Sequence, residues 1–579
     1  MRNKVKLLVP VLAGTLGLLA IPAAGAHAET ISSLTQLTSF HQMVVDDVGS
    51  YTANGYVFLS GGTDSEQLLN GPLTAAGIVV TDLSGNYVTT LDAGHGVEGL
   101  ALSADGGTLY ASLGSDDAVA AINVSSITPA TTTPAQALYD LGAGQLPYDL
   151  AIQSGELWVS YVPQTGFGGQ SAIGSFDLSQ ANPSFVLAPG TSGWPAPPNL
   201  SADPSNGGIL VAAEPQESPA EVATYSVVGG TVTTLAPMQE LRNASGGENC
   251  ENETDLAVVP GGTQFIVACG WPYAHYYYST TDLSLLGQYV SNTYPDAVAI
   301  APGSGLLALG TGNQYAPEIY LYKPGGSTLL YEHSFGSYTG VNLAGRGLAL
   351  SEDGSELYAV TFTTSRTGSK YSLHVFSNPA AAVTLTGPSV GIAGNSLTLT
   401  GTVALPTGTP PPAGATVTIT RTAAGSKTPL TLPPVSTAAD GTFTLSDTPT
   451  APGTYTYAAR YGDSSPGSVV VDVAPDTTTL TLSGPDSLRI GSELTLSGTL
   501  TFDGNPAPAG TTVTVTRSWS GSSDTTTFPV TTAADGTFTV TERLTSFGTF
   551  SYTAQYAGSP TAGPATAQWT VTVPHPGAA

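Results

Sequence analysis

Residues Glu98-Gly-Leu-Ala-Leu-Ser-Ala-Asp-Gly-Gly-Thr-Leu-Tyr-Ala-Ser read as a short apolar strand, a turn and a second apolar strand. Arg346-Gly-Leu-Ala-Leu-Ser-Glu-Asp-Gly-Ser-Glu-Leu-Tyr-Ala-Val is nearly the same phrase. Asp-Gly supplies the turn, because both residues tolerate the backbone that a tight reversal needs. Variants occur at Tyr148-Asp-Leu-Ala-Ile, Thr254-Asp-Leu-Ala-Val-Val and Asp296-Ala-Val-Ala-Ile-Ala, with weaker ones at Asn199-Leu-Ser-Ala and His41-Gln-Met-Val-Val. Aligned on Val44, Ala101, Ala151, Ser201, Ala257, Ala299 and Ala349, the copies are spaced by 57, 50, 50, 56, 42 and 50 residues. Seven units of this size, rich in alternating Val, Leu and Tyr and punctuated by Gly and Asp, predict four-stranded blades. The expected fold is all-β: a seven-bladed β-propeller over residues 29–378. The last unit shows three strands, so the segment Ser33–Phe40 is expected to supply its fourth and close the ring, removing an open sheet edge.

A second repeat follows. Val383-Thr-Leu-Thr-Gly-Pro is echoed by Leu480-Thr-Leu-Ser-Gly-Pro, and Ser396-Leu-Thr-Leu-Thr-Gly-Thr-Val by Glu493-Leu-Thr-Leu-Ser-Gly-Thr-Leu. Asp440-Gly-Thr-Phe-Thr-Leu returns as Asp535-Gly-Thr-Phe-Thr-Val. A period near 95 with Thr/Val-rich strands predicts two tandem β-sandwiches, over residues 379–475 and 476–574.

The seven-fold phrase resembles the YVTN-type and related WD40-like propellers of secreted bacterial proteins, and the later repeats resemble bacterial immunoglobulin-like modules. No Trp-Asp dipeptide ends the units, unlike WD40 proteins proper. The resemblance implies a rigid wheel on spacer modules. Propeller lactonases and lyases, which share the wheel, use axial acidic clusters with a metal.

The N-terminus reads as an export signal. Arg2, Lys4 and Lys6 precede an apolar run from Leu7 to Ile21, and Ala26-His27-Ala28 offers small residues for cleavage after Ala28. The mature product is expected outside the cell. No later run is apolar and long enough to span a membrane as a helix. The whole chain of 579 residues carries 14 basic and 42 acidic side chains, a net of −28. Residues 29–378 hold five of those bases and 31 of the acids. Such a surface is repelled by phosphate backbones, so nucleic acid is excluded as a partner.

Candidate chemistry is sparse. Cys250 and Cys269, the only cysteines, lie in one unit of an exported chain and are expected to form a disulfide. The residues just before each marker should line one mouth of the axial channel. Among them Glu98, Asp149, Asn199, Asp255 and Asp296 form a polar, anionic set that would suit a hard cation such as Ca²⁺. The alternatives are a solvated lining, a small-ligand site and, for Asp149 and Asp255, hydrogen bonds to the backbone of the neighbouring blade. Arg346 falls in the same ring, near Glu98 and Asp296 on this reading, and would form an internal ion pair or clamp a carboxylate substrate. Trp271, Tyr273 and Trp194 fall in loops and are candidate ligand-stacking aromatics. His95 with Glu98 is the one acid–base couple worth testing. No G-x-S-x-G elbow, H-E-x-x-H or phosphate loop is present, and no catalytic residue is assigned. The leading expectation is a non-catalytic binding or adhesion-type protein for an extracellular glycan, cell-wall material or a protein partner. The rivals are a metal-assisted lactonase- or lyase-like enzyme and a structural envelope protein.

Overall fold

The computed structural model describes residues 29–575, apart from 38, 48–54, 62–76, 164–169, 216–217, 243–244, 246, 248–249, 313–314, 324–325, 327, 337, 367 and 521. The expected export signal lies outside the described residues. Seven four-stranded antiparallel sheets follow one another, each ordered as its strands occur in the chain except the last. They are the seven blades. Their innermost strands are Met43–Asp46, Val97–Leu102, Gln145–Gln153, Asn199–Ala202, Glu251–Val258, Pro295–Ile300 and Val341–Leu350.

The repeated phrase explains the hairpin that starts each clear blade. In blade 2, Ser103 Oγ accepts the Thr108 N–H at 2.9 Å and donates to Asp105 Oδ1, which also accepts from the Gly107 N–H. Gly106, at φ +72°, completes the reversal. Ser351, Asp353 and Gly354 rebuild the same turn in blade 7. The Gly beside Glu98 has another cause. A Cβ on Gly99 would stand 2.7 Å from the Tyr148 carbonyl oxygen, so only glycine lets blade 3 pack this close.

The ring closes as expected but by a different segment. Thr30–Leu34, not Ser33–Phe40, pairs antiparallel with Gly368–Ser377, with Thr30 opposite Val375 and Leu34 opposite Tyr371. Leu34 and Leu37 are both buried, and the Leu37 N–H bonds back to the Leu34 carbonyl. The chain therefore turns after Leu34 to bring His41 to the axis. Apolar clusters lie between adjacent blades; Trp158, Ile173, Trp194, Leu210 and Tyr225, for example, join blades 3 and 4.

Further β-sandwich sheets follow. In the first sandwich, Ala382–Thr386, Leu397–Ala404 and Thr442–Asp447 face a sheet built on Thr416–Ala423, Gly453–Arg460 and Gly467–Ala474. The second places Thr478–Ser483, Glu493–Phe502 and Thr537–Arg543 over Ser522–Thr531, Thr512–Trp519, Gly548–Tyr556 and Ala565–Val573. The repeated Gly and Phe of the two sequence phrases meet here. Gly401 pairs with Phe443, and Gly498 with Phe538; a Cβ at either glycine would collide with the ring.

A charged triad also recurs. Arg421 bonds Asp447 at 2.6 Å and Tyr457 donates to the same carboxylate; Arg517, Glu542 and Tyr552 repeat the set. The first sandwich rests on the propeller through Asp463, whose carboxylate accepts the Ser377 N–H at 2.8 Å and whose own N–H bonds the Ser377 carbonyl at 2.7 Å.

Candidate functional site

The hub of the wheel holds a buried ion network. Arg346 lies inside Val341–Leu350, where the pairing register slips between Leu343 and Leu348, and its φ is +57°. That left-handed backbone is costly for a residue with a Cβ, by about 1–3 kcal/mol. It lies in the bulge that carries the guanidinium to the axis. There Arg346 Nη2 donates to Asp149 Oδ2 at 3.0 Å, and Nη1 to Asn199 Oδ1 at 3.3 Å and His41 Nε2 at 3.2 Å. Its Nε stands 3.6 Å from Asp255 Oδ1. With His41 Nε2 accepting, its ring proton falls on Nδ1, which faces Glu98 Oε2 at 3.4 Å. Asn199 in turn donates to Glu253 Oε2 at 3.1 Å. Side chains from six blades thus meet in one cluster, with the Tyr148 ring edge-on to His41.

The cluster is dry. Glu98, Asp149, Asn199 and Glu253 are at most 1% exposed. The solvated lining among the expected alternatives is therefore not what these residues form. Burial, aided by Arg346, holds His41 well below its ordinary pKa and so neutral. Burial raises Asp255 to about 7 against the pull of Arg346 and two backbone N–H groups. Burial and the neighbouring Asp255 raise Glu253 well above the usual carboxylate range. Burial opposes the charge of Arg346, but Asp149 and Asp255 outweigh it and raise its pKa.

The axial acids also fasten the blades. Asp149 Oδ2 accepts the Leu200 N–H at 2.8 Å, and Asp255 Oδ2 accepts the Val298 N–H at 2.7 Å. Gln42 does the same for Leu100. Each is a side chain two before its marker, gripping the residue one before the marker in the next blade. The Asp149 and Asp255 carboxylates converge on Arg346, not on an open centre. Among the described residues no three His, Cys, Asp or Glu are arranged to hold a metal ion.

Several sequence candidates are placed differently from expectation. Trp194 is 1% exposed, its ring packed between blades 3 and 4, because the bridge from Ser171 to Trp194 draws the loop inward. It offers no stacking face. His95 does not reach Glu98; its Nδ1 lies 3.1 Å from Asp116 Oδ1, and Glu98 faces His41. Arg346 bonds Asp149 and Asp255, and Asp296 lies apart from it on blade 6. Cys250 and Cys269 are joined in a disulfide.

Trp271 and Tyr273 are brought to a pocket at the same end of the inner strands. Its volume is about 260 Å³, and its wall includes Glu251, Thr254, Trp271, Tyr273, Tyr294 and Asp296. Trp271 is 53% exposed. Its ring meets Tyr273 edge-to-face at 5.2 Å, and Tyr273 meets Tyr294 at 4.9 Å. Sequence reading missed Tyr294, whose only signal is an aromatic directly before Pro295 and the blade 6 strand. The disulfide anchors the wall, since Cys250 precedes Glu251 and Cys269 precedes Gly270 and Trp271.

No known protein-family model matches the chain, and no curated protein resembles it in sequence. Solved structures resemble the chain at low identity. A functionally unknown protein from Desulfotomaculum acetoxidans is 11% identical, covering 57% of this chain and 93% of its own, with a TM-score of 0.36. The Cps50 (Swd1) β-propeller domain of Myceliophteria thermophila is 12% identical over 60% and 99%, with a TM-score of 0.38. The tandem repeats of the extending region of a large adhesion protein are 12% identical over 92% and 98%, with a TM-score of 0.24. None of these likenesses bears on function; the propeller followed by sandwich sheets stands on the observed strand order.

Proposed function

We propose that this chain is an exported, non-catalytic binding protein. Its propeller presents the Trp271–Tyr273–Tyr294 pocket, and immunoglobulin-like sandwiches hold that pocket away from an attachment point. The observation that carries the reading is the pocket itself. Aromatic faces remain open in a rigid frame, while Asp149 and Asp255 of the rival axial set are engaged by Arg346 and by neighbouring backbone. Extracellular glycan, cell-wall material and surface protein are the partner classes it would hold.

Retention of the purified protein on cell-wall fractions, glycan arrays and intact cells tests this. Trp271→Ala should weaken retention at least about fivefold, the cost of losing an anchoring aromatic, and leave the melting temperature nearly unchanged. Equal retention of the variant would overturn the assignment of the pocket. Export is tested by the N-terminal sequence of the secreted product, expected to begin at Glu29.

A further inference from the structure

We propose that the pocket between blades 5 and 6 takes an organic cation, an alkylammonium group such as a lysine side chain or a quaternary ammonium. The inference rests on the binding reading above and names the ligand class of the same site.

Three features of the wall point to that chemistry. The first is π surface. Trp271, Tyr273 and Tyr294 form a continuous edge-to-face series, and ring faces attract cations within about 6 Å of their centroids. The second is an unanswered charge. The Asp296 carboxyl is part-buried on the pocket wall and has, among the described residues, no hydrogen bond or ion pair. Every other axial acid has a partner. Burial alone pushes Asp296 up to about 7, so a cation beside it would hold it ionised. Gly312 keeps the space next to it clear, since a Cβ there would stand 3.1 Å from Asp296 Oδ2. The third is the lack of competition. Among the described residues no Lys or Arg lines the pocket, and Glu251 adds a second acid to its wall.

The backbone supports a built site. Tyr273, Tyr294 and Asn252, all on the wall, have φ of +62°, +64° and +55°. Bulky residues rarely adopt this conformation, and it concentrates where side chains are aimed for function. The ligand classes separate on the same facts. An anion would meet Asp296 and Glu251. A neutral sugar would stack on the rings but leave the part-buried Asp296 carboxyl without a counter-charge. A cation answers both the rings and the acid.

The test is isothermal titration of the full mature chain with choline, with Nα-acetyl-lysine amide, with 3,3-dimethyl-1-butanol as the uncharged isostere of choline, and with N-acetylglucosamine. At least one cation should bind with a Kd of millimolar order or tighter. The isostere should bind at least about tenfold more weakly. Asp296→Asn should lose at least about fivefold while keeping its melting temperature, and Trp271→Ala should lose a comparable factor. Which cation binds more tightly distinguishes a basic peptide from a quaternary ammonium head. Equal binding of choline and its isostere, or cation binding unaltered in Asp296→Asn, overturns the proposal. Absence of cation binding with Trp271-dependent retention intact overturns the cation class and leaves the binding reading standing. Sugar binding lost in Trp271→Ala and kept in Asp296→Asn does the same.

Discussion

Arg346 Nη2 lies 3.0 Å from Asp149 Oδ2, although 197 positions separate the two residues in the chain. The pair spans the axis of the wheel, from blade 7 to blade 3. It can form only when the ring is assembled, so it ties the last blade to the middle of the propeller.

Removing the guanidinium should therefore cost far more than a surface charge. Arg346→Ala leaves Asp149 and Asp255 buried without their cation, and breaking a buried pair in this way costs about 3–5 kcal/mol. Denaturant unfolding of the mature protein checks this. Adding Asp149→Asn and Asp255→Asn to Arg346→Met should recover part of the loss, because the uncompensated charges are then gone. A wild-type midpoint in Arg346→Ala would show that the hub contributes nothing.

Asp46 predicts an opposite effect. It is 1% exposed, and among the described residues neither carboxyl oxygen has a hydrogen-bond partner. Burial, then Asp47 and Asp105, raise it to about 6. A raised carboxyl binds its proton more tightly folded than unfolded, so stability falls as pH rises from about 4 to about 6 and is level above that. Asp46→Asn should stabilise the protein by about 2 kcal/mol at pH 8, where the wild-type carboxyl is ionised against its burial, and have little effect at pH 4, where it is protonated. Melting curves at the two pH values measure the difference.

The Cys250–Cys269 bond ties the residue just before the innermost strand of blade 5 to the neighbouring strand Gln264–Trp271 and encloses a short loop. Replacing both cysteines by alanine should cost about 3 kcal/mol. The same change should weaken ligand retention, because Glu251 and Trp271 on the pocket wall are next to the bridged positions. Comparing retention of the two forms below their unfolding transitions separates the local effect from global loss.

The duplicated triads allow a matched pair of experiments. Tyr457→Phe and Tyr552→Phe each delete one hydroxyl donating to a carboxylate that Arg also holds. Each should cost its own sandwich about 1.5–3 kcal/mol. Calorimetry that resolves separate transitions should show one module shifting at a time, with the propeller transition unmoved.

The repeats were legible because their causes are local. Ser103, Asp105 and Gly106 make a turn from six consecutive residues, and Ser351, Asp353 and Gly354 do so again. Aligning the strand phrase that leads into such turns yields seven blades without long-range information. The closing strand was shifted by three residues because Thr30–Leu34 and Ser33–Phe40 both alternate suitably, and only the burial of Leu34 and Leu37 decides between them. Asp149 and Asp255 were identifiable as axial from their place in the phrase. Their partner, Arg346, was expected to face Glu98 and Asp296. A register slip and a positive φ turn it to the other side, and no pattern of residue types announces either. Trp194 fails for a related reason. A tryptophan between Gly193 and Pro195 looks like a loop tip, yet the contacts that pull it inward come from Ser171 and from the neighbouring blade.

Ring closure has a mechanical corollary. The sandwiches leave the wheel at Ser377, the end of Gly368–Ser377, and that strand is bonded on one side to Glu356–Ser365 and on the other to Thr30–Leu34. Traction on the distal modules is thus shared between two seams at once, with Asp463 bracing the point where the load enters. A junction built this way resists being peeled off one strand at a time.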